Sequence, residues 1–481
     1  RSIALLGASP REGSPGRVLT EMLFNSAFAG KVFAVNPGYQ QILDHACYPS
    51  LESLPMPVDH VVIALANEHL EQALRNVVEH GARAATIYSS GILAEDSEPA
   101  LVQRLRLIAQ QAGLAICGIN GMGFYNPGAE LYAGIFPRPE RINKGGISYI
   151  AQSGSAFATL AHNGCRLGFN LCVSSGNELT TGVSDYMDWS LEQEDTRVIA
   201  LFLETVRDPV AFVETLKKAN RKNIPVVVLK IGKSARAVTM ALSHTGAIAG
   251  EHTAFAAMCR RYGVISVDDF DEMAAILMLL QVQPQSVPGG FAAIFESGGF
   301  RELITDLAEQ IGLDFAEIED STRMALVEHL DPGLKAENPL DAWGSQQRFE
   351  ERFAACLRLM MQDPNVAGGA FITNFRDGYY LSEAIYRAVE LVSREVAKPL
   401  ALVNLYSDLA NNDLCERARQ AAIPIIDGAR ESLLAFKRLF HYQKFMRSHQ
   451  SPLPGLLIDE AKTQACLRRL AGLEGEPPGE A

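Results

Sequence analysis

Two periods alternate along roughly the first 120 residues of the chain. Short apolar runs at Ser2–Leu6, Val32–Val35, His60–Ala64, Ala84–Ile87 and Ala115–Cys117 have the length and composition of buried strands. Between them, Val18–Asn25, Glu68–His80 and Glu98–Ala112 repeat their apolar positions at helical spacing. Strand–helix alternation of this kind predicts a doubly wound parallel sheet. In such a sheet ligands gather beyond the carboxyl ends of the strands, where the strand order reverses.

A turn-rich bridge from Gly121 to Gly146 separates this region from a second α/β set, with strands at Ile147–Ile150, Leu171–Ser174, Val198–Leu203, Val226–Leu229 and Val264–Val267. The helix Glu272–Leu280 closes that set, and Gln281–Gly290, rich in Pro, Gly and Gln, reads as a linker. A third set runs through Phe291–Phe295, Ala370–Thr373, Leu400–Leu405 and Ile423–Ile426, with Leu381–Val396 as a long helix. The pattern predicts three α/β domains at 1–123, 147–282 and 289–445, a linker at 124–146, and a helical tail at 446–481.

Composition narrows the classes without changing this layout. The 481 residues carry a formal net charge of −13, which argues against nucleic acid as the main partner. No apolar run approaches the ~18 residues of a membrane-spanning helix. The eight cysteines are scattered with no CxxC pair, and His162 with Cys165 is too isolated for a ligand set, so no metal site is expected. Arg1 leads straight into a strand pattern without a signal-peptide profile; the expected location is the cytoplasm, with a short native leader absent from the sequence.

Five groups of residues have the makings of chemistry. The turn after the first strand holds Gly7, Ser9, Arg11 and Gly16; it fits a phosphate-cradling loop and an ordinary tight turn equally well. Asn36 with Pro37, Ala66 with Asn67, and Ser89, Ser90 and Gly91 follow later strands and project to the same rim. His244 lies among small residues in Ser243–Gly250, where an exposed imidazole could accept a phosphoryl or acyl group, although a lone histidine also fits a surface position. Glu204 ends the apolar run Val198–Leu203 and would orient an imidazole, or simply sit in a solvated turn. Finally, Ser153, Gly154 and Ser155 in one domain and Ser297, Gly298 and Gly299 in the next occupy equivalent strand-to-helix junctions. Each junction can offer free N–H groups to an anion, and two converging helix N-termini could hold a phosphoryl group from both sides.

Taken in order, Gly7-Ala-Ser9, Val35-Asn-Pro37, Tyr48-Pro-Ser50, Ser90-Gly91, Gln152-Ser-Gly154, Ser175-Gly-Asn-Glu178, Leu203-Glu204 and Ser243-His-Thr-Gly-Ala247 resemble the NDP-forming acyl-CoA synthetases. These are relatives of ADP-forming acetyl-CoA synthetase and of the succinyl-CoA synthetase α subunit, and the likeness runs from residue 1 to about residue 440. The resemblance implies a Rossmann-like CoA-binding domain followed by two flavodoxin-like ligase domains with parallel sheets. It further implies His244 as a phosphorylated histidine, Glu204 as the acid positioning it, and the two Ser-Gly loops as the starts of helices facing the phosphohistidine. Coenzyme A would meet Gly7, Ser9, Arg11, Gly16, Asn36, Pro37, Ser89, Ser90, Gly91 and Asn120. The implied activity is ATP + carboxylate + CoA to acyl-CoA + ADP + phosphate, through the phosphohistidine and an acyl phosphate.

Two positions depart from the family's usual pattern. Gly118-Ile-Asn-Gly121 stands where Gly-Pro-Asn-Cys is common, and Tyr39-Gln40 follows the Asn-Pro turn where a basic residue is usual, with Arg11 as a substitute. The resemblance also implies ATP and Mg2+ bound by an ATP-grasp domain that these residues do not contain. The expected source is a longer fused polypeptide or a separate subunit, within a homo- or hetero-oligomer. The competing readings are a non-catalytic CoA- or nucleotide-binding sensor, or the regulatory module of a protein acetyltransferase. A nicotinamide-dependent dehydrogenase is disfavoured because GxGxxG and the strand-two acid are both missing.

Overall fold

The apolar run Val198–Leu203 is buried at every position, which only a central strand covered on both faces allows. The same holds for Val226–Lys230, Gly168–Ser174 and Val366–Thr373. A computed structural model of the chain describes residues 1–136, 142–163, 166–234, 236–237, 252–343 and 348–450. These residues form three sheets.

The first sheet is built from β1 (Ser2–Leu6), β2 (Lys31–Val35), β3 (Gln41–Ile42), β4 (His45–Tyr48), β5 (His60–Ile63), β6 (Ala84–Ile87) and β7 (Ala115–Gly118). Its order is β3-β4-β2-β1-β5-β6-β7, parallel throughout except where β3 pairs with β4. Strand order reverses between β1 and β5, the Rossmann-like switch point.

The second sheet contains β8 (Gly123–Asn126), β9 (Leu131–Gly134), β10 (Asn143–Ala151), β11 (Gly168–Ser174), β12 (Val198–Leu203), β13 (Val226–Lys230) and β14 (Ile265–Val267), in the order β14-β13-β12-β10-β11-β8-β9. The segment 124–146, expected to be a linker, therefore holds an antiparallel hairpin that extends this sheet through β11. Pro127 and Gly128 form the turn inside the hairpin, where Asn126 Oδ1 accepts from the Ala129 N–H at 3.0 Å. The third sheet has β15 (Gly290–Phe295), β16 (Leu340–Asp341), β17 (Val366–Thr373), β18 (Leu400–Asn404) and β19 (Ile425–Asp427), in the order β16-β15-β17-β18-β19. The parallel strands of the second and third sheets share one flavodoxin-like order, with their switch points at β10/β12 and β15/β17.

Packing joins the three. One hydrophobic cluster runs from Tyr149, Phe157 and Phe202 in the second unit to Phe291, Phe295 and Phe436 in the third. The final helix, Ala429–Gln450, crosses back from the third unit, where Arg438 pairs with the nearly buried Glu272 at 2.5 Å. It continues past residue 445, so the expected tail begins inside it; residues 451–481 lie outside the described residues. Arg166 spans the same junction, 2.6 Å from Asp427. The first unit docks on the second through backbone bonds, Asn177 N–H to Ile119 O at 2.8 Å and Leu179 N–H to Gly118 O at 2.9 Å. Among the described residues no helix is long and apolar enough to cross a membrane.

Candidate functional site

All three switch points carry the residues singled out by the sequence, and each is assembled differently. At β1/β5 the loop after β1 is held by close backbone approach. Gly7 has φ +94°, and a Cβ there would lie 2.4 Å from the Ala64 carbonyl oxygen. A Cβ on Gly16 would lie 2.2 Å from the Gly7 carbonyl oxygen, so the helix Pro15–Phe24 starts directly against the strand exit. Ser14 caps that helix, its side chain accepting from Arg17 N–H at 3.2 Å, and the Arg11 N–H donates to Ser9 Oγ at 3.1 Å. Arg11 itself points an exposed guanidinium from the loop.

The neighbouring strand ends close around this loop. Asn36 Nδ2 donates to Ala8 O at 2.7 Å, and its Oδ1 accepts from Gly38 N–H at 2.9 Å, leaving Pro37 exposed on the turn. Asn67 gathers the β6 exit: Oδ1 accepts from Gly91 N–H at 2.9 Å and Nδ2 donates to Ser90 Oγ at 3.3 Å. Ser89 Oγ donates to Leu65 O, and Ser89 O accepts from Asn120 N–H at 3.0 Å. The rim thus brings Gly7, Ser9, Gly16 and Asn36 together on one side and Ser89, Ser90, Gly91 and Asn120 on the other. Gly7→Ala should lose at least ~2 kcal/mol of stability, because the positive φ and a backbone oxygen both oppose the methyl group. Thermal unfolding of the variant checks this, and an unchanged midpoint would refute the close approach.

At β10/β12 the organising residue is Gln152, the first residue of the Gln152-Ser-Gly154 motif, for which the sequence alone implies no role. Its Oε1 accepts from Glu204 N–H at 2.7 Å and Thr205 N–H at 3.0 Å. Its Nε2 donates to Thr205 O at 2.9 Å and to Glu178 Oε1 at 3.0 Å. All four hydrogen-bonding positions of the buried carboxamide are thereby used. Glu178 is also buried; it takes a second bond from Ser175 Oγ at 3.0 Å and lies 3.6 Å from Arg207 Nε. Burial pushes its carboxyl up from the ordinary 4.5, against the pull of Gln152, Ser175 and Arg207. Glu178 lines a cavity of about 210 Å³ with Thr205 and Arg207.

Glu204 is half-buried at the strand exit, as expected for a group facing the rim. Its carbonyl accepts from Lys230 Nζ at 2.8 Å, and the same ammonium reaches Ile231 O at 2.5 Å. Lys230 pairs with Leu203 across β12 and β13, so one buried cation ties both strand exits together. Desolvation lowers its pKa while Glu204 opposes that shift. A charged residue closing the otherwise apolar run Val226–Lys230 was the signal that could have found it. Ser153 caps the helix Gly154–Ala161, its Oγ accepting from Ala156 N–H at 3.3 Å, and Ser155 is exposed beside it. Gly154 is required by packing: a Cβ would lie 2.4 Å from Met122 Cγ. His244 lies outside the described residues.

At β15/β17 the corresponding loop is acidic. Glu296 follows β15 at the position Gln152 occupies after β10, and Thr373 Oγ1 donates to its Oε1. Its Oε2 is buried with no partner, and burial, reinforced by Asp341, pushes the carboxyl up, which favours the neutral acid. Ser297 precedes the helix Gly298–Ile311 but makes no side-chain cap, unlike Ser153. A Cβ on Gly298 would lie 3.3 Å from Asp341 Oδ2, and one on Gly299 would lie 4.0 Å from Ser297 Oγ. No hydrogen bond among the described residues joins the Ser297 loop to the Ser153 loop; Phe157 of one helix and Ile304 of the other belong to the same hydrophobic cluster.

Comparison with known proteins agrees with this layout. Residues 1–127 match the CoA binding domain family and residues 144–280 match the succinyl-CoA ligase like flavodoxin domain family. The chain is 32% identical over 376 residues to a trans-feruloyl-CoA synthase from an unknown prokaryotic organism, covering 76% of this chain and 53% of that protein. It is 30% identical over 374 residues to the α subunit of acetate–CoA ligase [ADP-forming] II from Pyrococcus furiosus, covering 76% of this chain and 79% of the subunit. It spans about half the length of several curated relatives. Its fold matches that of a dinucleotide forming acetyl-coenzyme A synthetase 1 from Ca. Korarchaeum cryptofilum, with TM-score 0.82 at 20% identity over 94% of this chain and 97% of the other. With two family domains, an α-subunit relative 30% identical over 79% of its length and a common fold, the chain belongs to the NDP-forming acyl-CoA synthetases, the family of the ADP-forming acetate–CoA ligases.

Proposed function

We propose that the chain carries the CoA-binding and phosphohistidine part of an ADP-forming acyl-CoA synthetase, an acid–thiol ligase. The observation that carries this is the Gln152–Glu204–Lys230 junction: an acidic residue whose main-chain N–H and C=O are both held at the β10/β12 switch point, beside a capped helix N-terminus. An orienting acid in that setting suits an imidazole that gains and loses a phosphoryl group. In this reading residues 1–123 bind CoA, 147–282 hold the phosphohistidine, and 289–445 supply the second helix start. His244 takes the γ-phosphoryl group of ATP; the carboxylate then attacks phosphorus, breaking the N–P bond and forming an acyl phosphate. The CoA thiolate attacks the acyl carbon, and inorganic phosphate leaves.

Ser153, Gly154 and Ser155 present N–H groups to the travelling phosphoryl group from one helix; Ser297, Gly298 and Gly299 do so from the other. Gly7, Ser9, Arg11, Gly16, Asn36, Pro37, Ser89, Ser90, Gly91 and Asn120 form the CoA rim. ATP and Mg2+ are handled by an ATP-grasp part, on a partner subunit or on a longer polypeptide, in a cytoplasmic oligomer. The retained carboxylate junction favours a ligase over a CoA-binding sensor or the regulatory module of an acetyltransferase.

The substrate class is a short aliphatic or an aromatic carboxylate. A panel of both, supplied to the whole protein with ATP and CoA, should give carboxylate-dependent ADP, with a preferred acid at least ~tenfold above the rest in kcat/KM. CoA binding without any carboxylate-dependent ADP would refute the ligase reading.

A further inference from the structure

A cavity of about 510 Å³ takes no part in the reaction scheme above. It lies between the edge strand β14, the helix His252–Tyr262 and the final helix Ala429–Gln450. Its polar lining is strongly one-sided. Lys230, Lys233, Arg260 and Arg438 face it, against Asp268 on the rim and Glu272 behind Arg438, so positive charge exceeds negative by two. The groups left unsatisfied there are donors. Arg438 binds Ser266 O and Glu272 with its terminal nitrogens, yet its Nε is buried without a partner. The Tyr442 hydroxyl is buried without a partner as well. Lys230 spends two of its three N–H bonds on carbonyl oxygens, and Arg260 is exposed at the mouth with no acidic partner among the described residues.

Buried donors without acceptors cost free energy, and a cationic cavity with such donors is complementary to an oxyanion. A phosphate monoester carries about −1.5 to −2 charges at neutral pH and several acceptor oxygens, which answers both the charge excess and the donors. Phe255, Phe445 and Val228 supply an apolar wall on which the rest of an ester could lie. The positive surroundings also register at His441, whose imidazole is held below its usual range by burial and then by Lys437, Lys444 and Arg438.

We propose that this cavity is an anion site for a phosphate monoester, separate from the CoA rim and from the phosphoryl path. Because Lys230 lines it and also holds the Glu204 carbonyl, a bound ester would touch the same cation that fixes the catalytic strand exit. The site stands on its own lining and does not depend on the proposed reaction.

Calorimetry on the whole protein with inorganic phosphate, AMP or adenosine tests it, together with a crystal soaked in AMP. Tyr442→Phe removes a single orphaned hydroxyl, and Arg260→Gln removes an exposed side chain, so both variants should fold. Each should weaken AMP binding about tenfold, as loss of a bond to a charged oxygen predicts. AMP tighter than inorganic phosphate assigns the apolar wall to the ester's organic part; equal affinities assign the site to phosphate alone; adenosine should not bind. Water alone in the soaked cavity, or AMP affinity unchanged in both variants, would overturn the proposal. A dead ligase that still binds AMP in a Tyr442-dependent way would refute the reaction scheme and leave this site standing.

Discussion

An enzyme carrying His244→Ala should take up no acid-labile, base-stable phosphate from γ-labelled ATP, and its turnover should fall by at least ~10³-fold. A phosphoramidate bond hydrolyses in acid and survives base, whereas an acyl phosphate is cleaved in base and a serine phosphate survives acid, so the label's stability identifies the atom that carries it. The size of the loss follows from the covalent route: without an imidazole the γ-phosphoryl group has no acceptor, and direct attack by the carboxylate would need ATP and acid in one site. CoA binding should be retained, since Gly7, Asn36 and Asn67 build their loops in another sheet. Glu204→Gln should keep the fold and the label but slow labelling, roughly 10²-fold, because an amide orients the ring without supporting its charge. Persistent acid-labile label in the His244 variant would remove the assignment.

Much of the scaffold was legible because its central strands are buried on both faces. Val198–Leu203 and Ala84–Ile87 have no polar positions to blur their limits beyond a threonine, and the strands occupy the same spans in the structure. The hairpin Gly123–Asn126 and Leu131–Gly134 was hidden for the opposite reason. Its strands are short, Gly and Pro interrupt them, and their apolar residues find meaning only against β11. Candidate residues at strand exits could be read one by one, since every parallel strand delivers its last residue to the same rim. What joins them could not. Gln152 meets Glu178 across 26 positions and Thr205 across 53, so neither local period nor turn chemistry encodes the clamp. The acidic setting of Ser297 was hidden in the same way, because Asp341 arrives from β16. The two Ser-Gly loops look alike in sequence, and only tertiary neighbours make one a capped helix start and the other a carboxylate-lined one.

The largest expected stability effect belongs to Gln152→Leu. The change keeps most of the side-chain volume but strands the Glu204 and Thr205 N–H groups and takes one donor from the buried Glu178 carboxylate. Orphaning buried backbone donors and weakening a buried charge's partners should cost about 2–4 kcal/mol at neutral pH. The cost should depend on pH with a definite sign. Burial already raises the folded-state pKa of Glu178 above 4.5, so its contribution to stability is complete below that value and is lost as pH rises through the raised pKa. Removing Gln152 removes one of the bonds that lowers this pKa, which lifts it further and enlarges the loss at pH 7. At a pH below 4.5 the acid is neutral in both proteins, and only the backbone part of the cost remains. Urea unfolding of both proteins at the two pH values measures the difference directly. Turnover should fall as well, by around 10²-fold, because a small displacement of Glu204 misaligns the phosphoryl acceptor while the CoA rim stays intact. An equal deficit at both pH values would mean that Glu178 does not rely on Gln152. No deficit at either would mean that the carboxamide is not what holds the β10/β12 junction closed.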